Sequence, residues 1–186
     1  MPALAPEPYI FPEHLLGNDG SSNSIAGEWW VLQTKPRSEK SLARRLLGHG
    51  VSFFLPLFLH SRRLNSRVRH VQRPLFPGYI FLHGNSEARL VALETDLVVR
   101  SLPVIDSVGL RADLVNVLQM MQTGAALHPE SRLAPGTPVE IVDGPLSGMT
   151  GKLLRRGKRL RFIVEVRLLQ CGVSVELEHW MFRPVP

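Results

Sequence analysis

Apolar and polar positions follow two regimes along this chain. Between Glu28 and Met121, apolar runs of strand period alternate with stripes of helical period; beyond Val139, short apolar strands are separated by glycines. Glu28-Trp29-Trp30-Val31-Leu32-Gln33-Thr34 is rich in aromatic and β-branched residues and is stopped by Pro36, which predicts a strand. Ser38-Glu39 then reads as an N-cap and a first-turn acid, followed by the stripe Leu42, Ala43, Leu46, Leu47 and by Gly50 as the residue past the helix end. A second strand is predicted over Val51–Leu59, with Pro56 marking an edge or a bulge. In Pro74-Leu75-Phe76-Pro77-Gly78-Tyr79-Ile80-Phe81-Leu82, a Pro-Gly turn delivers four large side chains in succession. Tyr79 and Phe81 share one strand face and Ile80 and Leu82 the other, so this strand expects cover on both sides.

Asn85-Ser86 caps a short helix carrying Ala88, Leu90, Val91 and Leu93, which ends near Thr95-Asp96. Leu97–Leu102 predicts the next strand. Leu114, Val117, Leu118 and Met121 predict a third helix from about Leu110, closed by Gly124. The order β-α-β-β-α-β plus a helix gives the fold class: an α+β, ferredoxin-like sandwich over residues 28–124, with helices mainly on one sheet face. Residues 125–136 lose all periodicity and read as a linker. Over 137–186, strands at Val139–Val142, Thr150–Arg155, Arg161–Leu168 and Val173–Leu177 predict a small β-barrel, since closure removes exposed strand edges. Residues 1–27, with Pro2, Pro6, Pro8 and Pro12 and a Gly/Ser/Asn-rich second half, read as a disordered tail. The patch Tyr9-Ile10-Phe11 with Leu15-Leu16 is its one segment with apolar character enough to dock.

Charge changes the picture. The 186 residues hold 22 Lys+Arg against 16 Asp+Glu, a formal net charge of +6 that suits a polyanionic partner. Half of the basic residues sit in two clusters. One is the stretch His60–Arg73, with Arg62, Arg63, Arg67, Arg69 and Arg73, no acid, and Asn65-Ser66 placed as a hairpin turn. The other is Lys152, Arg155, Arg156, Lys158, Arg159 and Arg161, in the β-rich segment. The single Cys171 excludes an intramolecular disulfide and a multi-thiolate zinc site, which fits a reducing compartment. No apolar run approaches the about 20 residues that span a bilayer, and no secretion signal is legible. A cytoplasmic protein with no membrane association is expected.

Chemistry for catalysis is not visible. The seven histidines show no HExxH or Cys/His ligand spacing, and no Gly-x-Ser-x-Gly elbow occurs. Gly148-Met149-Thr150-Gly151-Lys152 has a phosphate-loop flavour, but Leu146 replaces the first glycine and Leu153 the hydroxyl that would hold magnesium. No enzyme activity, no metal and no cofactor is expected.

Three spaced segments together resemble the NusG family of transcription elongation factors. They are Trp29-Trp30-Val31-Leu32 with Pro36 and Glu39; Leu75-Phe76-Pro77-Gly78-Tyr79-Ile80-Phe81-Leu82; and Pro135–Gly151, which is similar to the KOW motif through Gly144, Pro145, Gly148 and Gly151. The resemblance implies an N-terminal (NGN) domain over 28–124 and a KOW domain with an SH3-like barrel over 137–186. It implies that the first grips the clamp helices of RNA polymerase through an apolar sheet face. Tyr79 and Phe81 are then the expected polymerase contacts, with Phe76 and Trp30 joining them; the competing reading of each aromatic is core packing. Arg62, Arg63, Arg67, Arg69 and Arg73 would lie beside that face, against upstream or non-template DNA, the plainer reading being a solvated hairpin. The KOW domain would meet RNA, the ribosome or another partner. Where housekeeping members carry a Phe-Gly-Arg type loop, this chain has Leu169-Gln170-Cys171-Gly172, which puts Rho contact in doubt. With the unusual tail, this favours a specialised, monomeric paralogue resembling RfaH-type antiterminators. Val164–Leu169 tolerates helix, but its β-branched neighbours favour strand. The alternative function is a KOW-type RNA-binding or ribosome-associated protein with no polymerase contact, carried by the second basic cluster.

Overall fold

The computed structural model of the protein describes residues 7–17, 27–64, 67–132, 135–156, 159–178 and 181–185; the side chains of residues 62–69 and of Arg156 lie outside this set. The chain divides into two compact units, residues Met1–Ser107 and Val108–Pro186.

In the first unit the strands are β1 (Ile10–Phe11), β2 (Glu28–Thr34), β3 (Ser52–Phe54), β4 (Leu57–Leu64), β5 (Arg67–Pro74), β6 (Tyr79–Gly84) and β7 (Val98–Pro103). Helix α1 (Glu39–Gly48) follows β2, and α2 (Ser86–Glu94) follows β6. Five strands form one sheet in the order β1-β3-β6-β2-β7, every neighbouring pair antiparallel. Without β1 this is the split βαβ order, with β6 inserted between β3 and β2. Among the described residues, strands β4 and β5 pair only with each other. Pro56 separates β3 from β4 by removing a ladder donor where the expected strand Val51–Leu59 turns off the sheet.

Helices α1 and α2 pack on one sheet face. Leu42, Ala43 and Leu46 of α1 and Ala92 of α2 meet Leu32, Phe53, Ile80 and Leu82 there. Gly50, at φ 65°, ends α1, and the Gly50 and Val51 N–H groups donate to the Leu47 and Leu46 carbonyls. Ser38 makes no side-chain cap. Asn85 does cap α2, its Oδ1 accepting from the Ala88 N–H at 3.0 Å.

The tail departs from its expected disorder. Ile10 and Phe11 pair with Phe54 and Phe53, and the Leu55 N–H donates to the Tyr9 carbonyl at 2.6 Å. Leu15 and Leu16 are 3% and 2% exposed. The apolar patch has found a strand edge whose N–H and C=O groups would otherwise lack partners. Residues 1–6 and 18–26 lie outside the described set.

The second unit contains helix α3 (Ser107–Gln122), from its second residue onward. Its strands are β8 (His128–Glu130), β9 (Thr137–Ile141), β10 (Thr150–Arg156), β11 (Arg159–Val166), β12 (Cys171–Leu177) and β13 (Phe182–Pro184). They form one antiparallel sheet in the order β13-β9-β10-β11-β12-β8. Val139, Ile141, Phe162, Val164, Val173 and Val175 are buried in it. The expected closed barrel is replaced, among the described residues, by an open ladder. Strand β8 comes from the stretch read as linker and takes the outer edge of β12, which ring closure would otherwise have to use. Val164–Val166 belong to β11 and Arg167–Leu169 form one 3-10 turn, so this run is not a longer helix. Asp113, on the buried stripe of α3, accepts from the Arg167 backbone N–H at 3.1 Å and from its guanidinium Nε and Nη2 at 3.1–3.2 Å.

Candidate nucleic-acid interface

The turn between β5 and β6 positions everything around it. Pro77 and Gly78 are its central residues, the Tyr79 N–H donates to the Phe76 carbonyl at 3.1 Å, and Gly78 has φ 84°. That is a type II turn, whose third position favours glycine. Gly78 is bonded on both sides: the buried Glu39 accepts its N–H through Oε1 at 2.7 Å, and the Thr34 N–H donates to its carbonyl at 2.8 Å. Two segments far apart in sequence, 29–39 and 75–82, therefore meet at one glycine.

The four expected polymerase contacts separate here. Antiparallel register sets Val31 opposite Phe81 and Trp30 opposite Leu82. Trp30 thus shares the helix-side face, where it packs against the core and lies 4.8 Å beneath the Arg89 guanidinium. Trp29, one residue earlier, belongs to the Tyr79/Phe81 face, with its ring 4.9 Å from that of His83. Phe81 is fully buried, its ring 6.4 Å from Phe54 and 6.0 Å from Phe76, and Phe76 is only 3% exposed. Tyr79, half-buried, is the aromatic of this face left partly open at the sheet end. His83 is half-buried with its Nδ1 lacking a hydrogen-bond partner, and burial holds its pKa below the usual imidazole value.

The basic hairpin is the strand pair β4–β5, in register from Leu57↔Pro74 to Leu64↔Arg67. The expected turn Asn65-Ser66 and the side chains of Arg62, Arg63, Arg67 and Arg69 lie outside the described residues; register sets Arg62 opposite Arg69. Nearer the root, Phe58 and Arg73 are cross-strand partners, as are His60 and Val71, so these four share one face. Phe58 and His60 stack edge-on at 6.1 Å, and Val71 and Arg73 are exposed. The other face carries Leu59, 62% exposed, and a hydrogen bond between Ser61 Oγ and His70 Nδ1 at 2.9 Å. Rings and a guanidinium on one ribbon, on a segment without a carboxylate, suit stacking on bases and pairing with phosphates.

The second basic cluster differs in its surroundings. Lys152 pairs with Glu165 at 2.8 Å, Arg159 with Glu176 at 2.7 Å, and Arg161 with Glu130 at 3.3 Å and Glu176 at 3.7 Å. Ser174, fully buried, donates to the same Glu130 oxygen at 2.7 Å. The hydrogen bond from Arg159 holds the Glu176 carboxyl below the usual range and raises the Arg159 guanidinium above its own. Lys158 lies outside the described residues and Arg155 is exposed. Three of its six basic residues, Lys152, Arg159 and Arg161, are thus answered by carboxylates on other strands, which sequence spacing did not reveal.

The KOW-like residues build the β9–β10 turn. Gly144 and Gly148 have φ 86° and 85°, Pro145 lies between them, and the Gly148 N–H donates to the Ile141 carbonyl at 2.8 Å. A Cβ at Gly151 would stand 2.6 Å from the Ile163 carbonyl and from the Phe162 ring, so strand packing requires glycine there. Among the described residues, no group of three or more His, Cys, Asp or Glu is placed to hold a metal ion, and no helix is long and apolar enough to cross a membrane.

Residues 27–117 match the family model described as NusG, transcription termination factor nusG. That match spans the segment that forms the split βαβ sheet, from β2 through β7. Two solved structures of an MjSpt4:Spt5 complex, in conformations A and B, are similar to this chain at 15% identity and a TM-score of 0.27; the similarity covers 84% of this chain and 97% and 96% of theirs. No curated protein matches.

Proposed function

We propose that the protein is a transcription elongation factor that binds RNA polymerase through the domain of its first unit and lays the β4–β5 hairpin against nearby DNA. The observation that supports this reading is the match of residues 27–117 to the NusG family model, on a segment that also bears an acid-free hairpin with five arginines. Action is steric rather than catalytic: bridging the clamp across the DNA channel holds the enzyme closed and suppresses pausing or termination. The clamp helices are the surface proposed to meet Tyr79, and upstream or non-template DNA the strand proposed to meet the hairpin. Phe81 and Phe76 support Tyr79 from the core instead of touching the partner, and Trp30 supports the sheet from its helix side. Restriction to particular operons, as in RfaH-type antiterminators, belongs to the same proposal. So does a cytoplasmic site of action, and so does recruitment of a further partner by the second unit.

The RNA-binding alternative draws on the second basic cluster, where ion pairs with Glu130, Glu165 and Glu176 leave less charge for phosphates. Single-round transcription with core polymerase on a template containing a strong pause decides the matter. Addition of the protein is expected to shorten the pause, and charge removal at the hairpin arginines to abolish that effect. Unchanged pause lifetimes at saturating protein overturn the reading.

A further inference from the structure

Among the described residues strands β4 and β5 pair with no other strand, and a two-stranded ribbon by itself is only marginally stable. Its root is fixed where the Leu75 N–H donates to the Pro56 carbonyl at 2.8 Å. One lateral tie comes from the tail: the Glu7 N–H donates to Oε1 of Gln72, on β5, at 3.3 Å. Glu7 is itself held, its carboxylate accepting from Arg44 Nη1 at 2.7 Å and lying 3.8 Å from Lys40 Nζ, both on α1. Beyond Glu7 the chain bonds to Leu55 through Tyr9, joins the sheet as β1, packs Phe11 against the helix-side core and ends in the buried Leu15 and Leu16. Helix, sheet edge and hairpin are therefore joined by one ten-residue segment.

We infer that Glu7–Leu16 is a positioning strap that fixes the basic hairpin relative to the sheet through the Glu7–Gln72 bond. Glu7, Phe11, Leu15, Leu16 and Gln72 are positioning residues; they act on nucleic acid only through the hairpin's orientation. Its consequence for binding rests on the proposed contact of the hairpin with DNA, whereas the strap itself does not.

The test compares the full chain with Gln72→Ala, with Glu7→Lys and with a chain lacking residues 1–17. Hydrogen exchange of the hairpin is read beside binding to a short DNA duplex and to a single strand. Loss of one hydrogen bond is expected to speed exchange in β5 about fivefold in Gln72→Ala, while β2 and β6 stay protected. Glu7→Lys keeps the backbone N–H that reaches Gln72 but reverses the charge facing Arg44 and Lys40, so the strap is repelled from α1 and a similar gain is expected. DNA binding should weaken severalfold in both variants. Faster hairpin exchange with unchanged DNA binding sustains the strap and overturns the DNA contact. Unchanged hairpin exchange in Gln72→Ala and Glu7→Lys overturns the strap, whatever becomes of the truncated chain.

Discussion

The Glu39 carboxylate accepts the N–H of Gly78 at 2.7 Å, and this bond closes the junction on which the first unit is organised. It joins the first turn of α1 to the type II turn ahead of β6. Beside it the Thr34 N–H reaches the Gly78 carbonyl, so β2, α1 and β6 leave one point in fixed directions. Glu39→Ala removes the acceptor of a partly buried N–H and is expected to cost about 1–3 kcal/mol. Gly78→Ala meets no atom within 4 Å, so its cost is the left-handed backbone alone, about 1–2 kcal/mol. Urea unfolding of both variants measures this; wild-type stability in either would break the junction account.

Phe81 and Tyr79 should respond in opposite ways. Phe81→Ala empties a fully buried position between Phe54 and Phe76 and is expected to destabilise by about 3–5 kcal/mol. Tyr79→Ala, at a half-buried site, should cost far less while removing the proposed polymerase contact. Thermal unfolding of the two variants separates core from surface.

Much of this arrangement was legible in the sequence, and the misses share a cause. Strand and helix periods placed β2, α1, β6, α2, β7 and α3 near their observed positions, because each carries its own amphipathic pattern. Trp29 and Trp30 could not be told apart that way. Which of two adjacent tryptophans faces the helices depends on register with β6, and a slip of one residue exchanges the faces. Strands β1 and β8 are two and three residues long and exist through pairing with Phe53-Phe54 and with Gly172–Ser174, distant in the chain. The second basic cluster read as a patch because its partners Glu130 and Glu176 come from other strands.

His83 gives the fold a pH dependence of definite sign. Burial lowers its pKa in the folded chain below the unfolded value of about 6.5, so the unfolded chain takes up the proton first. The stability it contributes is present above that value and is lost as pH falls through the folded pKa. Unfolding free energy should therefore decline from pH 7.5 to 5.5, and decline less in His83→Gln. An equal decline in both would remove His83 from the account.

Cys171, half-buried on β12, has its thiol pushed up to about 11 by desolvation. At pH 8 about one molecule in a thousand carries the thiolate, so iodoacetamide should label the native chain slowly and the urea-unfolded chain at an ordinary rate. Fast labelling of the native protein would contradict the burial of this strand.

If the hairpin arginines meet phosphates, DNA affinity must fall steeply with salt. Each arginine removed, beginning with the exposed Arg73, should reduce the slope of log K against log salt by about 1. A slope that stays constant through the series would assign the hairpin to solvent.

Engagement of RNA polymerase is open to a direct binding measurement. Binding of the full chain to core RNA polymerase from its own source should be measured beside Tyr79→Ala and a variant with the hairpin arginines replaced by glutamine. Tight wild-type binding is expected, with a loss of about tenfold or more in Tyr79→Ala at a melting temperature close to that of the wild type, the size expected of one aromatic anchor. The hairpin variant should weaken mainly when DNA is present. Wild-type and Tyr79→Ala chains binding equally, or neither binding at all, would contradict polymerase engagement through Tyr79.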